Sequence, residues 1–207
     1  MAAQHIEPHL VMADERGNIY DDPDLLMVCR RGAQWGLPRP DELIPLPEES
    51  EFFLLPGRKA VGLDPETGLI TPPEGEAPLA VAAFAAPGYT ISAHPAYESD
   101  EKSPLLPLFA YGAVGYARGR FYICARRVDT EPRQIFSNIG RGRIEQGARG
   151  LLRDYPQNRL IRHIMDNCVA RYDCPAGRNF ALGRFEAPLP SSRSCNASCI
   201  GCISAQE

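Results

Sequence analysis

The stretch 108-LFAYGAVGYARGRFYICARRV-128 holds two apolar runs, Leu108 to Ala117 and Phe121 to Val128, hinged at Arg118 and Gly119. Runs of strand length, rich in aromatic and β-branched residues and joined by two residues of which one is glycine, predict a β-hairpin with a tight turn. Upstream, two more hairpins are expected. One joins Leu10 to Ala13 with Asn18 to Tyr20 around 14-DERG-17, and the other joins Phe52 to Leu55 with Ala60 to Leu63 around 56-PGRK-59. The segment 64-DPETG-68 has the Pro and Gly of a type I turn finished by a left-handed residue, and is expected to end the hairpin of Phe52 to Leu63. The run Leu79 to Ala86 is apolar on both parities, which fits a central strand or a short buried helix.

After Asp129 the apolar period lengthens. In 156-PQNRLIRHIMDNCVARY-172, Leu160, Ile161, Ile164, Met165, Cys168 and Val169 form one stripe, so a helix is expected with Pro156 in its first turn. A shorter helix is expected over Ile144 to Arg153, with Ala148, Leu151 and Leu152 facing inward. The glycine-rich 140-GRGRIEQGARG-150 lacks the Lys-Ser/Thr of a P-loop and the strand that precedes a dinucleotide site, and reads as a flexible linker. Beyond Cys174, 175-PAGRN-179 reads as irregular and 180-FALGRFEAPLP-190 as extended, with a strand over residues 184–189. The expected class is α+β: a β-rich domain over residues 1–130, a helical connector over 131–182, and the start of a further domain over 183–207.

Composition narrows the setting. The 207 residues are 44% hydrophobic and 23% charged, enough for a core of ordinary size. No apolar run reaches membrane-spanning length and MAAQHIEPHL lacks the features of a secretory signal, so a cytoplasmic protein without a membrane partner is expected. Prolines and glycines gather in clusters such as 37-LPRPDELIPLPEE-49 and 71-TPPEGEAP-78, which punctuate short elements. Seven cysteines without an export signal argue against a disulfide framework and favour metal ligation for any tight cluster. Charge is uneven: residues 1–125 carry nine Lys/Arg against eighteen Asp/Glu, and residues 126–193 carry thirteen Arg against seven acids. A solvated helix face explains the arginines better than a nucleic-acid surface does, and nucleic-acid binding is not supported. An acidic protein partner is the specific alternative.

The tight cluster lies in 194-SCNASCIGCIS-204, where Cys195, Cys199 and Cys202 follow one another at spacings of three and two residues. Thiolates on one short loop reach neighbouring irons of a cubane cluster, and small residues let the backbone wrap the inorganic core. Three protein ligands for four irons leave one iron open, and an open position separates a catalytic metal site from a closed structural one.

In this motif the chain resembles the radical S-adenosylmethionine (radical SAM) superfamily, whose hallmark is Cys-x3-Cys-x2-Cys in the loop after the first strand of a partial (β/α) barrel. The resemblance implies that Cys195, Cys199 and Cys202 hold a [4Fe-4S] cluster whose open iron chelates S-adenosylmethionine. It further implies reductive cleavage of that molecule to methionine and a 5′-deoxyadenosyl radical. Residues 183–207 would then be the first strand and cluster loop of an incomplete barrel, and residues 1–130 an accessory domain. The match covers roughly the last twenty-five residues, and Gly201 stands where many members carry an aromatic residue. An acidic electron donor of the flavodoxin or ferredoxin type suits the basic half, and no pattern names a substrate. The alternative is a non-catalytic binding or electron-transfer protein with a C-terminal zinc or iron-sulfur site.

Of the remaining cysteines, Cys168 sits on the apolar stripe and reads as a core thiol, while Cys174 is the more open and the better functional candidate, near enough for both to help bind an auxiliary cluster. Cys29 and Cys124 are isolated in apolar contexts and read as packing residues. His5, His9, His94 and His163 show no ligand spacing, and Asp21 with Asp22 reads as turn chemistry.

Overall fold

The structure is a computed structural model and describes residues 6–74, 78–86, 88–99, 101–104, 106, 111–132, 135–136, 138–171 and 173–184. It divides the chain into two compact units, with the boundary between Asp129 and Thr130. The first is strand-rich. Its strands are β1 (His9–Ala13), β2 (Ile19–Met27), β3 (Cys29–Arg31), β4 (Gln34–Gly36), β5 (Leu43–Pro45), β6 (Glu51–Ala60), β7 (Gly62–Leu63), β8 (Ile70–Thr71), β9 (Leu79–Phe84), β10 (Tyr89–Ile91), β11 (His94–Pro95), β12 (Tyr97–Ser99), β13 (Gly112–Ala117) and β14 (Arg120–Arg127).

The hairpin that anchors the reading is present: β13 and β14 pair antiparallel from Ala117 opposite Arg120 to Val114 opposite Ile123. Its turn residues Arg118 and Gly119 have φ of 50° and 78°, the left-handed pair that matches the twist of the strands it joins. The β1–β2 hairpin also forms, with Ala13 opposite Ile19. Asp14 holds its turn by accepting hydrogen bonds from the backbone N–H groups of Arg16 (2.9 Å) and Asn18 (2.8 Å).

The third expected hairpin does not form. Glu51 to Ala60 is one strand, β6, which pairs with β9 and steps out of register between Leu54 and Lys59. Pro56 and Gly57 therefore make a bulge, not a reversal. Leu55 and Arg58 turn inward, and Arg58 Nη1 donates to the carbonyl oxygens of Pro56 and Pro104, each at 2.8 Å. The 64–68 turn forms as read, with Gly68 N donating to Asp64 O at 2.8 Å, but it joins β7 to β8.

Leu79 to Phe84 is a strand, and the sheet explains its two apolar faces. Leu10, Met12, Leu55, Ala80, Ala82 and Tyr111 pack in one core, while Val11, Ala13, Val81, Ala83, Val114 and Ile123 pack in another. Strands β1 and β9 are thus covered on both sides, which demands apolar residues at both parities. The main sheet runs β10-β14-β13-β9-β1-β2-β7-β8, with β5 on β14 and β6 bridging β9 and β12, and a smaller sheet has the order β11-β3-β4.

The second unit is helical: α1 (Arg141–Asp154), α2 (Arg159–His163), a π-helical turn over Ile164–Val169, and α3 (Pro175–Ala181). Ile144, Ile161, Ile164, Met165, Val169 and Ala181 are its core. Three expectations are corrected here. The glycine-rich 140–150 segment is not a linker but most of α1, because Ile144, Ala148, Leu151 and Leu152 supply a helical stripe and Gly147 lets α3 come close. A Cβ at Gly147 would stand 2.0 Å from the Ala181 carbonyl oxygen. The stripe of 156–172 is helical only from Arg159, since Asn158 is the cap and its side chain accepts from Leu160 N and Ile161 N; Pro156 lies outside. The turn then widens, with Ala170 N donating to Met165 O at 3.0 Å. Finally, 175–181 is a helix instead of an irregular and then extended stretch, because Pro175 at its first position supplies a preformed helical φ. Among the described residues, no helix is long and apolar enough to cross a membrane.

Candidate functional site

Cys195, Cys199 and Cys202, and residues 185–189 of the expected strand, lie outside the described residues. The structure shows how the chain is held up to Arg184. Past α3, Arg184 N donates to Asn179 O at 2.8 Å, and Arg184 Nη1 donates to Asn179 Oδ1 at 3.2 Å. Asn179 is fully buried, so it satisfies its polar atoms within the protein and holds the chain at Arg184. The guanidinium of Arg184 lies 5.4 Å from the centre of the Phe136 ring, and that of Arg178 lies 4.4 Å from it. Arg178 Nη1 is also 3.4 Å from Asp173 Oδ2.

Cys168 and Cys174 come together at the end of the widened turn, where Cys174 N donates to Cys168 O at 2.6 Å. Both are half-buried, and Cys168 packs against the core of the helical unit as its place on the apolar stripe predicts. Burial first, and the neighbouring Cys174 second, push the Cys168 thiol up. Such a thiol keeps its proton and is a poor ligand until a metal displaces it. Among the described residues, no group of three or more His, Cys, Asp and Glu side chains is placed to hold a metal ion.

Cys29 and Cys124 are fully buried, as expected of packing residues, but they are not isolated. Strands β3 and β14 bring them into one cluster with Met27, Ala93 and Ala113. Cys29 Sγ donates to Gly36 O at 3.4 Å. The neighbouring Cys124 draws the Cys29 thiol down, helped by Arg31 and opposed by burial and Glu42. The nearness of Cys29, with burial behind it, pushes the Cys124 thiol up. Nothing in the sequence announces this pair, because the two cysteines are distant in the chain and meet only through strand order.

Beside the thiols, Glu42 is buried and bound to Arg31, whose Nε donates to Oε1 at 3.1 Å and whose Nη2 donates to Oε2. Arg39 N donates to Oε2 at 3.0 Å. Burial alone would raise the Glu42 carboxyl, yet the Arg31 hydrogen bonds and the Arg39 N–H and charge outweigh it, and the carboxyl sits below the usual range. The arginines of α1 are exposed, with Arg141 and Arg149 at 3.4 and 3.7 Å from Glu145.

The described histidines make local contacts: His9 Nδ1 lies 3.1 Å from Asp21 Oδ2, and His94 Nδ1 lies 2.9 Å from Tyr111 O. The chain was compared with models of protein families, with curated proteins and with solved structures, and none of these matches it.

Proposed function

We propose that this chain is the N-terminal part of a radical SAM enzyme, with Cys195, Cys199 and Cys202 as the three thiolate ligands of a [4Fe-4S] cluster that binds S-adenosylmethionine. The observation that carries the reading is the Cys-x3-Cys-x2-Cys spacing in a loop of small residues. The donor set fits the group: soft, anionic, closely spaced, and one ligand short of a closed four-coordinate zinc site. When bound, such a cluster supplies a low-potential electron and an open iron for the reductive cleavage of S-adenosylmethionine.

This chain's own residues supply ligation and orientation. Among the described residues, the Asn179–Arg184 hydrogen bonds hold the chain at the end of the helical unit. The strand-rich unit is an accessory domain, the protein is cytoplasmic, and an acidic electron donor docks on the basic second half. Reversing the charges of Arg141, Arg143, Arg149 and Arg153 would slow cluster reduction by flavodoxin several-fold while leaving reduction by dithionite unchanged. Equal rates with flavodoxin for variant and wild type would remove the docking claim.

The test of the main reading is anaerobic reconstitution with iron and sulfide, which gives about four irons per chain. Replacing Cys195, Cys199 and Cys202 by Ala abolishes that iron. Protein encoded by the whole reading frame then releases 5′-deoxyadenosine from S-adenosylmethionine under reducing conditions. Stoichiometric zinc without iron would instead make this a metal-tail binding protein.

A further inference from the structure

We propose that Cys168 and Cys174 are a modification site in the helical unit, a dithiol that a small peroxide closes to a disulfide and a reducing dithiol reopens. The inference does not depend on the cluster reading, since neither cysteine belongs to the set of Cys195, Cys199 and Cys202.

Backbone geometry carries it. The π-helical turn ends at Val169, and Asp173 follows with a φ of 47°, the left-handed conformation that reverses a chain at a helix end. The reversal brings Cys174 N to 2.6 Å from Cys168 O. Through that one hydrogen bond, covalent geometry limits the two Cα atoms to about 6.5 Å, inside the span of about 4.4 to 6.8 Å that disulfides bridge. A continuous helix would instead set residues at this interval about 9 Å apart.

The two side chains also converge on one place. Cys168 Cβ lies 3.0 Å from where a Gly177 Cβ would stand, so it faces the first turn of α3. Cys174 is the N-cap of that helix, and an N-cap side chain leans over the second and third helical residues, here Ala176 and Gly177. It makes no cap hydrogen bond, so none is broken when its sulfur turns. Both cysteines are half-buried, within reach of a small oxidant in solvent.

The chemistry balances with hydrogen peroxide as the oxidant. Cys168 packs on the helical core, where burial holds its proton, so Cys174 attacks first. Its thiolate takes one peroxide oxygen, the O–O bond breaks, and the departing hydroxide leaves as water with the proton that Cys174 gave up, which makes a sulfenic acid. The Cys168 sulfur then attacks the Cys174 sulfur, the S–O bond breaks, and hydroxide leaves with the Cys168 proton as a second water. Each sulfur has lost one electron and the peroxide has gained two. The new bond ties the π-helical turn to the start of α3.

Arg171 lies between the two cysteines, so trypsin separates them into peptides 163–171 and 172–178. The reduced whole chain, treated with a small excess of hydrogen peroxide, blocked with N-ethylmaleimide and digested without reductant, should yield these two peptides joined. Dithiothreitol should part them. The same cross-link should form when Cys195, Cys199 and Cys202 are replaced by Ser, which excludes exchange with those thiols, and Cys174→Ser should leave peptide 163–171 unjoined. The wild-type peptide map decides the matter even if a variant fails to fold. The proposal is overturned if both peptides emerge as single maleimide adducts, are separately over-oxidised, or are joined to other cysteines in preference to each other, under peroxide that oxidises N-acetylcysteine added to the same solution.

Discussion

Glu42 keeps its charge inside the protein because Arg31 and the Arg39 N–H meet both of its oxygens, and Ala125 N holds its backbone carbonyl at 2.9 Å. Removing one partner leaves the other charge buried, so Arg31→Met should cost on the order of 2 to 3 kcal/mol. The value is below that of a dry pair because the Arg31 side chain is 26% exposed. The sign of the pH dependence follows from the lowered carboxyl. Its stabilisation is fully present above the unfolded-state value and is lost as pH falls through the folded-state value. The wild type should therefore lose Tm below about pH 4, and Glu42→Gln should be less stable at neutral pH with a flatter acid limb. A parallel acid limb in the variant would show that Glu42 is not the group responsible. At this scale the sequence is least informative. The burial of Cys29 and Cys124 is readable from their apolar surroundings, whereas their contact, and the ion pair beside them, depend on which strands become neighbours.

Elements were legible where one local pattern governs them. The turns at Asp14 and at Arg118–Gly119 carry their own hydrogen bonds or φ angles, and both hairpins form. Pro56-Gly57 has turn chemistry too, but the β9 and β12 pairings hold Glu51–Ala60 as one strand and convert the turn into a bulge. Glycines misled in α1 for the opposite reason. Read locally they suggest flexibility, but Gly147 is there for space, facing the Ala181 carbonyl. Gly147→Ala should thus destabilise the helical unit by roughly 3 kcal/mol, even though alanine is the better helix former. A neutral or stabilising effect in thermal unfolding would mean that α1 and α3 do not approach in this way.

At the scale of the molecule, the lengthening of the apolar period after Asp129 is where strands give way to helices. The order of strands was not legible, because pairings such as β6 with β9 and β1 with β13 link distant segments that no local signal relates. The cysteine loop is the reverse case. Its chemistry is written in the spacing of three residues, while its setting in the fold lies outside the described residues.

The central claim meets its most direct test in metal competition followed by EPR. Protein reconstituted anaerobically with iron, sulfide and zinc all present is reduced with dithionite, and its spectrum is recorded before and after S-adenosylmethionine is added. The account predicts a [4Fe-4S] signal that S-adenosylmethionine shifts and that is missing when Cys195, Cys199 and Cys202 are replaced. A chain that takes up zinc in place of iron, or an iron-sulfur signal indifferent to S-adenosylmethionine, would contradict it.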